Sequence, residues 1–146
     1  MSREIKFRAL THANNAMVFG DLINTPEGTH RILWFELKGE IPLDVDYNSF
    51  NELVQSSTIG QFSGLKDING KEVFEGDIIV GYEAKNDGGL EKSKFKVVYE
   101  DFAFVCISLE DKCDTWLEFF DNNPNATPQA SCEVIGNIYQ NPELLK

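Results

Sequence analysis

The chain has 146 residues, of which 42% are hydrophobic and 12% aromatic, and this composition predicts a folded chain rather than intrinsic disorder. The length fits one compact domain or two small β subdomains. The formal net charge is -11 at pH 7, from 13 basic and 24 acidic residues. Because a chain of this charge repels polyanions, we expect no direct binding to nucleic acid through its phosphates.

The cysteines and the N-terminus predict a cytoplasmic protein. Cys106, Cys113 and Cys132 cannot all pair within the chain, and their spacing matches no zinc-binding pattern. We therefore expect reduced thiols, with Cys106 as a small buried side chain rather than a nucleophile. The first residues lack the apolar core of a signal peptide, and no apolar run approaches the roughly 20 residues that span a bilayer, so we expect no contact with membranes.

The first third of the chain predicts strands and one short helix. The alternation in Ile5–Leu10, followed by Asn14 and Asn15 and then Met17–Phe19, indicates a hairpin. A second strand is predicted at Arg31–Leu37, with loop signals on both sides. Between Asp46 and Gln55 the apolar residues recur at helical offsets, and a capping pattern precedes them, which predicts a helix of two or three turns. These offsets are set by Phe50, Leu53 and Val54.

The most informative segment is Gln61–Val80, where glycines separate apolar runs. A two-residue turn at Asn69–Gly70 would place Asp67 opposite Glu72, which is an unfavourable like-charge pair. A type I turn that begins at Asp67 and ends in a left-handed bulge at Gly70 avoids this pair and is preferred. After it, Glu75-Gly76-Asp77 predicts a tight reversal in which the aspartate carboxylate accepts a bond from nearby backbone N–H groups.

The second half predicts further strands in the pattern of a small barrel. Its turns and short apolar segments are the exposed loop at Lys85–Gly89, an apolar cluster of ambiguous type at Trp116–Phe120, a loop at Asp121–Ser131 and a terminal helical turn at Asn141–Glu143. Its strands are Phe95–Tyr99, Phe102–Leu109 and Val134–Tyr139, with a bulge or corner at Gly136. The aromatic residues that alternate with polar ones are interpreted as core rather than as a stacking platform for bases. They are Phe62, Phe74, Phe95, Tyr99, Phe102 and Phe104.

No residue pattern predicts catalysis, a cofactor or a metal ion. The acidic neighbours Glu75/Asp77, Glu100/Asp101 and Glu110/Asp111 are expected at turns or in solvent, as chance would place them among 24 acids. His12 and His30 have no partner at ligand spacing and are expected in turns or loops. Neither Ser63-Gly64 nor Gly88-Gly89 fits a phosphate-binding loop.

One basic stripe has two interpretations. Lys92, Lys94 and Lys96 alternate along a predicted strand, so all three lie on one face. Edge protection or solvation is the favoured interpretation. A ligand patch is the alternative.

Three blocks of the sequence resemble the YopX-like family of phage and prophage proteins. They are Arg3–Ala9 with Met17–Phe19, Gly60–Ile79 and Val134–Leu145. The chain departs from the family pattern at Leu10-Thr11, where Trp and Asp are common, and at Phe62-Ser63, where Tyr and Thr are common. The resemblance implies a mainly β protein of a phage or prophage that acts in the bacterial cytoplasm. It also implies an SH3-like barrel in the C-terminal part, which we place in residues 61–146. The strand and helix patterns described above predict an N-terminal β subdomain with one short helix in residues 1–60.

The resemblance supplies no activity, so function is a hypothesis drawn from the class of protein. We expect a non-enzymatic accessory protein that binds a host or phage protein, because small acidic barrels offer loops and edges to partners. The alternative is an acidic nucleic-acid mimic that blocks a host DNA- or RNA-binding protein. Exposed strand edges also make a homo-oligomer reasonable.

Overall fold

The computed structural model describes residues 4–37, 47–120 and 130–146. The chain divides into two compact units, Met1–Gln61 and Phe62–Lys146. Both consist mainly of antiparallel strands, so the mainly β class is confirmed. The strands are Phe7–Leu10 (β1), Met17–Asn24 (β2), His30–Leu37 (β3), Tyr47–Val54 (β4), Gly60–Lys66 (β5), Glu72–Phe74 (β6), Asp77–Ala84 (β7), Leu90–Glu100 (β8), Ala103–Ser108 (β9), Thr115–Trp116 (β10) and Ala130–Asn137 (β11). Short 3-10 helices are Ser56–Thr58, Leu117–Phe119 and Pro142–Leu145.

The first unit is an antiparallel sheet in which consecutive strands are neighbours. The predicted hairpin is confirmed, because β1 pairs with β2 from Phe7 opposite Gly20 to Leu10 opposite Met17. The predicted strand at Arg31–Leu37 is also confirmed as β3, which pairs with β2 and β4. A bridge between Thr11 and Val54 then brings the end of β4 to the end of β1. The buried centre of this unit is formed by Ala9, Ile32 and Val54.

The helix predicted between Asp46 and Gln55 is wrong, because residues 47–54 form β4. This strand pairs with β3 along its whole length, and Phe50 lies opposite Trp34. The two rings stack with their centroids 5.6 Å apart. Apolar residues at helical offsets also fit a short strand, and the pairing with a distant segment decided between the two conformations.

The second unit contains the β5–β6 hairpin and a five-stranded antiparallel sheet in the order β10-β9-β8-β7-β11. Its buried cluster includes Val73, Ile79, Phe95, Val97, Cys106, Leu117, Phe120, Ala130, Cys132 and Val134. Phe120 packs edge-on against Phe95 at a centroid distance of 5.9 Å. It lies over Gly81, where an added Cβ would approach the Phe120 ring to 2.7 Å.

The turn at Asp67–Gly70 has the predicted geometry. The backbone N–H of Gly70 donates to the carbonyl of Asp67 at 3.0 Å, and Gly70 has a φ of 81°. Asp67 Oδ1 accepts from the N–H groups of Asn69 and Lys71 at 2.9 and 2.8 Å. In this register Lys66, rather than Asp67, lies opposite Glu72. An opposite-charge pair therefore replaces the like-charge pair of the rejected register.

The reversal after β6 is also confirmed. Gly76 has a φ of 90°, and the buried Asp77 carboxylate accepts the N–H of Phe74 at 2.8 Å. The predicted bulge near Gly136 appears as a register shift between Val134 and Gly136 in β11. The chain ends in a 3-10 turn with Pro142 at its start.

The closed barrel expected in the C-terminal part is not formed by the described strands. Strands β10 and β11 lie at opposite edges of the five-stranded sheet, and no strand pairing in residues 62–120 and 130–146 joins them. The N–H of Ile68 instead donates to the carbonyl of Cys132 in β11 at 2.9 Å, so the β5–β6 turn covers part of that edge. The SH3-like detail is therefore not confirmed.

The segments between these strands depart from the prediction in part. The loop at Lys85–Gly89 is confirmed as exposed. The ambiguous cluster at Trp116–Phe120 contains the end of β10 and the 3-10 helix Leu117–Phe119. The loop predicted at Asp121–Ser131 lies mostly outside the described residues, and its last two residues begin β11.

Candidate interaction surface

The predicted aromatic core is only partly buried. Phe62, Phe74 and Phe95 are buried, as expected, and Phe104 is half-buried. Tyr99 is 47% exposed and Phe102 is 97% exposed, so their assignment to the core is wrong. Tyr99 lies opposite Phe104, and their ring centroids are 5.1 Å apart. Phe102 is not in β9 as predicted; with Asp101 it forms the turn between β8 and β9.

Two further aromatic residues are exposed where the chain leaves the sheet. Trp116, in the edge strand β10, is 51% exposed and lies opposite Val105. Phe119, in the adjoining 3-10 helix, is 50% exposed, and its ring meets that of the buried Phe120 edge-on at 5.5 Å. Leu117 and Phe120 are buried and hold this segment in the core, so the rings of Trp116 and Phe119 face solvent. We call Tyr99, Phe102, Trp116 and Phe119 the exposed aromatic set.

The exposed aromatic set occupies more than one side of the sheet. Phe104 and Val105 are consecutive in β9 and point to opposite faces. Tyr99 shares a face with Phe104, and Trp116 shares a face with Val105. Phe102 extends from the turn itself. The set is therefore a group of protruding rings at one region of the fold, rather than a flat patch.

The lysine stripe of β8 has contacts within the protein. Lys92 Nζ lies 5.4 Å from the centre of the Tyr82 ring, and Lys94 Nζ donates to the backbone oxygen of Lys146 at 3.3 Å. The adjacent Tyr82 hydroxyl donates to Glu133 Oε2 at 3.3 Å. Burial, followed by the Glu133 carboxylate, raises the pKa of Tyr82. Strand β8 lies between β7 and β9, so edge protection by the stripe is wrong, and these contacts fit a solvated face.

A lysine from the β9–β10 connection is bound to the start of the same strand. Lys112 Nζ donates to Glu91 Oε1 and Ser93 Oγ, both at 2.8 Å, and to the carbonyl of Lys92. The hydrogen bond between Lys112 and Glu91 raises the pKa of Lys112 and lowers the pKa of Glu91. Because the pair is exposed, solvent and salt screen it.

The acidic pairs are at turns or have structural partners. Asp77 is buried beneath its turn, whereas Glu100 and Asp101 are exposed at the end of the β8–β9 hairpin. Glu110 Oε2 accepts the N–H of Lys94 at 3.2 Å, and the neighbouring Asp111 is exposed. None of these arrangements places two carboxylates in a buried site suited to acid–base catalysis.

The histidines and cysteines lie at separate positions in turns, strands, the core and the surface. His12 lies in the turn after β1, as predicted, whereas His30 begins β3, and its Nδ1 lies 2.6 Å from Ser56 Oγ. Cys106 is buried, as predicted, and Cys113 is exposed. Burial, with a smaller contribution from Cys132, raises the pKa of the Cys106 thiol. Within the described ranges, no three His, Cys, Asp or Glu side chains are grouped to hold a metal ion.

The sequence carries no local signal for the exposed position of Phe102. The two-residue turn at Asp101–Phe102 follows from the pairing of Tyr99 with Phe104, which the structure shows. The alternation of aromatic and polar residues predicts instead that Phe102 begins a strand and lies in the core.

The fold and the surface define an antiparallel β protein that carries a set of exposed aromatic residues. Across residues 4–37, 47–120 and 130–146, no helix has the length and hydropathy needed to cross a membrane. The family model for the YopX protein matches residues 6–146, and the chain therefore belongs to the YopX protein family. This confirms the resemblance noted in the sequence.

A solved structure is similar to this chain in fold. The chain is similar to protein EF1440 from Enterococcus faecalis, whose crystal structure aligns over 99% of this chain and 100% of that chain. The two are 28% identical in sequence, and the TM-score is 0.55. No curated protein matches the chain.

Proposed function

We propose that this protein is a non-enzymatic accessory protein of a bacteriophage or prophage that binds a host or phage protein in the bacterial cytoplasm. The exposed aromatic set carries the proposal. Aromatic residues are enriched at the centres of protein interfaces, because they bury a large area with little loss of side-chain freedom. Four such residues lie within the short part of the chain from β8 to the 3-10 helix Leu117–Phe119, and each is about half exposed or more.

The surroundings of the polar groups support a binding role rather than catalysis. Among the described residues, the buried carboxylates of Asp67 and Asp77 accept backbone N–H groups of their turns, and Asp67 also accepts the N–H of Val134 in β11. The thiol of Cys106 is buried, and burial holds it in its neutral form. A thiol in this form is a poor nucleophile.

An affinity pull-down with matched variants tests the proposal. In the test variant each member of the exposed aromatic set becomes serine, through Tyr99→Ser, Phe102→Ser, Trp116→Ser and Phe119→Ser. In the control variant Ile5→Ser and Leu90→Ser remove two exposed apolar side chains outside the set. We expect bacterial proteins that bind the wild type and the control but not the test variant, with circular dichroism showing that all three are folded. Equal capture by all three proteins would contradict the proposal.

The net charge of -11 favours a second candidate, an acidic nucleic-acid mimic. Such a protein would compete with DNA for a host nucleic-acid-binding protein, and added salt would weaken the competition. The test is displacement of host DNA-binding proteins from immobilised duplex DNA at low salt. A lack of displacement at every protein concentration would exclude this candidate.

We also propose that the protein can self-associate through its strand edges, and this proposal is compatible with either function. Sedimentation equilibrium at several protein concentrations measures it directly, and a single monomer mass throughout would exclude it.

A further inference from the structure

The turn between β8 and β9 has an unusual residue at its second position. The last cross-strand pair is Glu100 with Ala103, so Asp101 and Phe102 alone make the turn. Both have left-handed backbone conformations, with φ of 48° and 65°. Two-residue hairpin turns with positive φ at both positions are type I′, for which Asp-Gly or Asn-Gly is strongly preferred. Asp101 fits this preference, but phenylalanine stands where glycine is expected.

Phe102 contributes little to the folded chain. Its side chain is 97% exposed, so it has almost no packing contact to offset the left-handed backbone. An exposed apolar residue alone needs no explanation. Exposure combined with a strained backbone does, because glycine at this position would relieve the strain without loss of packing. Such outliers are found where a residue serves binding rather than stability.

The residues around Phe102 indicate the chemistry of what it contacts. Glu100 and Asp101 are exposed beside it, so the ring lies next to two negative charges. Behind them the Tyr99 and Phe104 rings pack together at 5.1 Å and form an aromatic base for the hairpin. A complementary surface therefore has an apolar pocket for the ring and positive charges at its rim.

We propose that Phe102 is an anchor that inserts into an apolar pocket, bordered by lysine or arginine, on a different protein. This inference rests on the proposed function and names the anchor and the partner's chemistry. A membrane fits less well, because the two carboxylates would be repelled by anionic lipid and would lose hydration on insertion. A second copy of this chain also fits less well, because each copy carries a net charge of -11.

Site-specific photo-crosslinking followed by titration tests the inference. Benzoylphenylalanine is introduced in place of Phe102, and in a control protein in place of Leu90, which is 67% exposed on β8. Crosslinked products from bacterial lysate are identified, and a protein captured at Phe102 but not at Leu90 is purified. Its Kd is then measured for the wild type and for the variants Phe102→Gly, Phe102→Leu and Leu90→Ser.

We expect Phe102→Gly to weaken binding by at least about tenfold, whereas Phe102→Leu and Leu90→Ser retain most of the affinity. Phe102→Gly should leave the melting temperature unchanged or raise it by a few degrees, since glycine suits the turn. Loss of binding then cannot be explained by unfolding. The paired reversal Glu100→Lys with Asp101→Lys should slow association with the same protein, and added salt should reduce the difference.

Several outcomes would overturn the inference. In the titration, an unchanged affinity of Phe102→Gly would do so. In the crosslinking experiment, it would be overturned by the absence of any product specific to Phe102, by a crosslinked pocket without basic residues, or by crosslinking mainly to a second copy. Phe102-dependent binding to vesicles of phosphatidylcholine and phosphatidylglycerol would also overturn it. If proteins captured in the serine-variant pull-down bind Phe102→Gly normally, the anchor is wrong but the proposed function stands. If that pull-down also shows no dependence on the exposed aromatic set, both fail.

Discussion

The carboxylate of Asp67 accepts a hydrogen bond from the backbone N–H of Val134, with Oδ2 and N 2.9 Å apart. The same side chain uses Oδ1 to bind the N–H groups of Asn69 and Lys71 in its own turn. One buried carboxylate thus joins the β5–β6 turn to β11, which lies 67 positions further along the chain.

We predict that Asp67→Ala lowers the free energy of unfolding by about 3–5 kcal/mol, because it leaves three N–H groups without their charged acceptor. Urea denaturation followed by circular dichroism measures the change. The control is Asp87→Ala, since Asp87 Oδ1 accepts the N–H of Gly89 at 2.9 Å in a similar but exposed turn. There we expect a loss below about 1 kcal/mol, because water replaces the acceptor. Equal losses in both variants would show that Asp67 does not join the two elements.

The turn at Gly70 allows the backbone conformation to be tested without a steric effect. Gly70 has a φ of 81°, and an added Cβ would meet no atom within 4 Å. Gly70→Val should destabilise by about 1–2 kcal/mol, whereas Gly70→Asn should cost less than about 1 kcal/mol, because asparagine tolerates left-handed conformations. Thermal unfolding of the two variants measures the difference. Equal melting temperatures would argue against the left-handed bulge.

The same reasoning applies to Gly76, whose φ is 90°. Gly76→Val should lower the melting temperature by about 2–8 °C, because valine is strained in that conformation. Circular dichroism at increasing temperature measures the shift, and an unchanged melt would contradict the turn assignment.

Gly81 and Phe120 should be energetically coupled. A Cβ on Gly81 would approach the Phe120 ring atoms Cε1 and Cζ to 2.7 Å, so Gly81→Ala should cost about 1–3 kcal/mol by overpacking. Phe120→Leu removes those ring atoms and should cost about 1–2 kcal/mol on its own. We expect the double variant to lose at least about 0.5 kcal/mol less than the sum of the single losses. Strict additivity in urea denaturation would show that the ring does not rest on Gly81.

The thiols should differ in reactivity. Cys113 is exposed, whereas Cys106 and Cys132 are buried, and burial raises the pKa of Cys106. A raised thiol pKa lowers the thiolate fraction at any given pH, and only the thiolate reacts rapidly with disulfide reagents. At pH 8 we therefore expect one fast-reacting thiol in the native protein and three in denaturant. Cys113→Ser should remove the fast phase, and a remaining fast phase would mean that a buried thiol is accessible.

Local turn chemistry was predictable because it depends on residues within a few positions of each other. The choice between two registers at Asp67–Gly70 followed from charge, and the structure pairs Lys66 with Glu72. The sequence likewise predicts a reversal at Gly76 and a bulge at Gly136. At Asp67–Gly70 and at Gly76, hydrogen bonds and a positive φ restrict the same short segment that carries the signal.

The errors concern choices that distant contacts decide. Phe50, Leu53 and Val54 fit either a helix or a strand, and only the register with β3 selects the strand. The alternation of aromatics could not show that the β8–β9 loop has two residues, and so Phe102 was assigned to the core. The contact between Asp67 and Val134 had no local signal at all.

The amino-acid sequence by itself determined the mainly β class, the family and the position of the glycine turns, because strand alternation and left-handed backbone preferences operate over a few residues. Only the tertiary structure decided that β4 is a strand, that the five-stranded sheet has two separate edges, and that Phe102 extends into solvent. These features depend on which strands pair and on the length of the turn that joins them, and strand pairing is set by contacts between segments far apart in the chain.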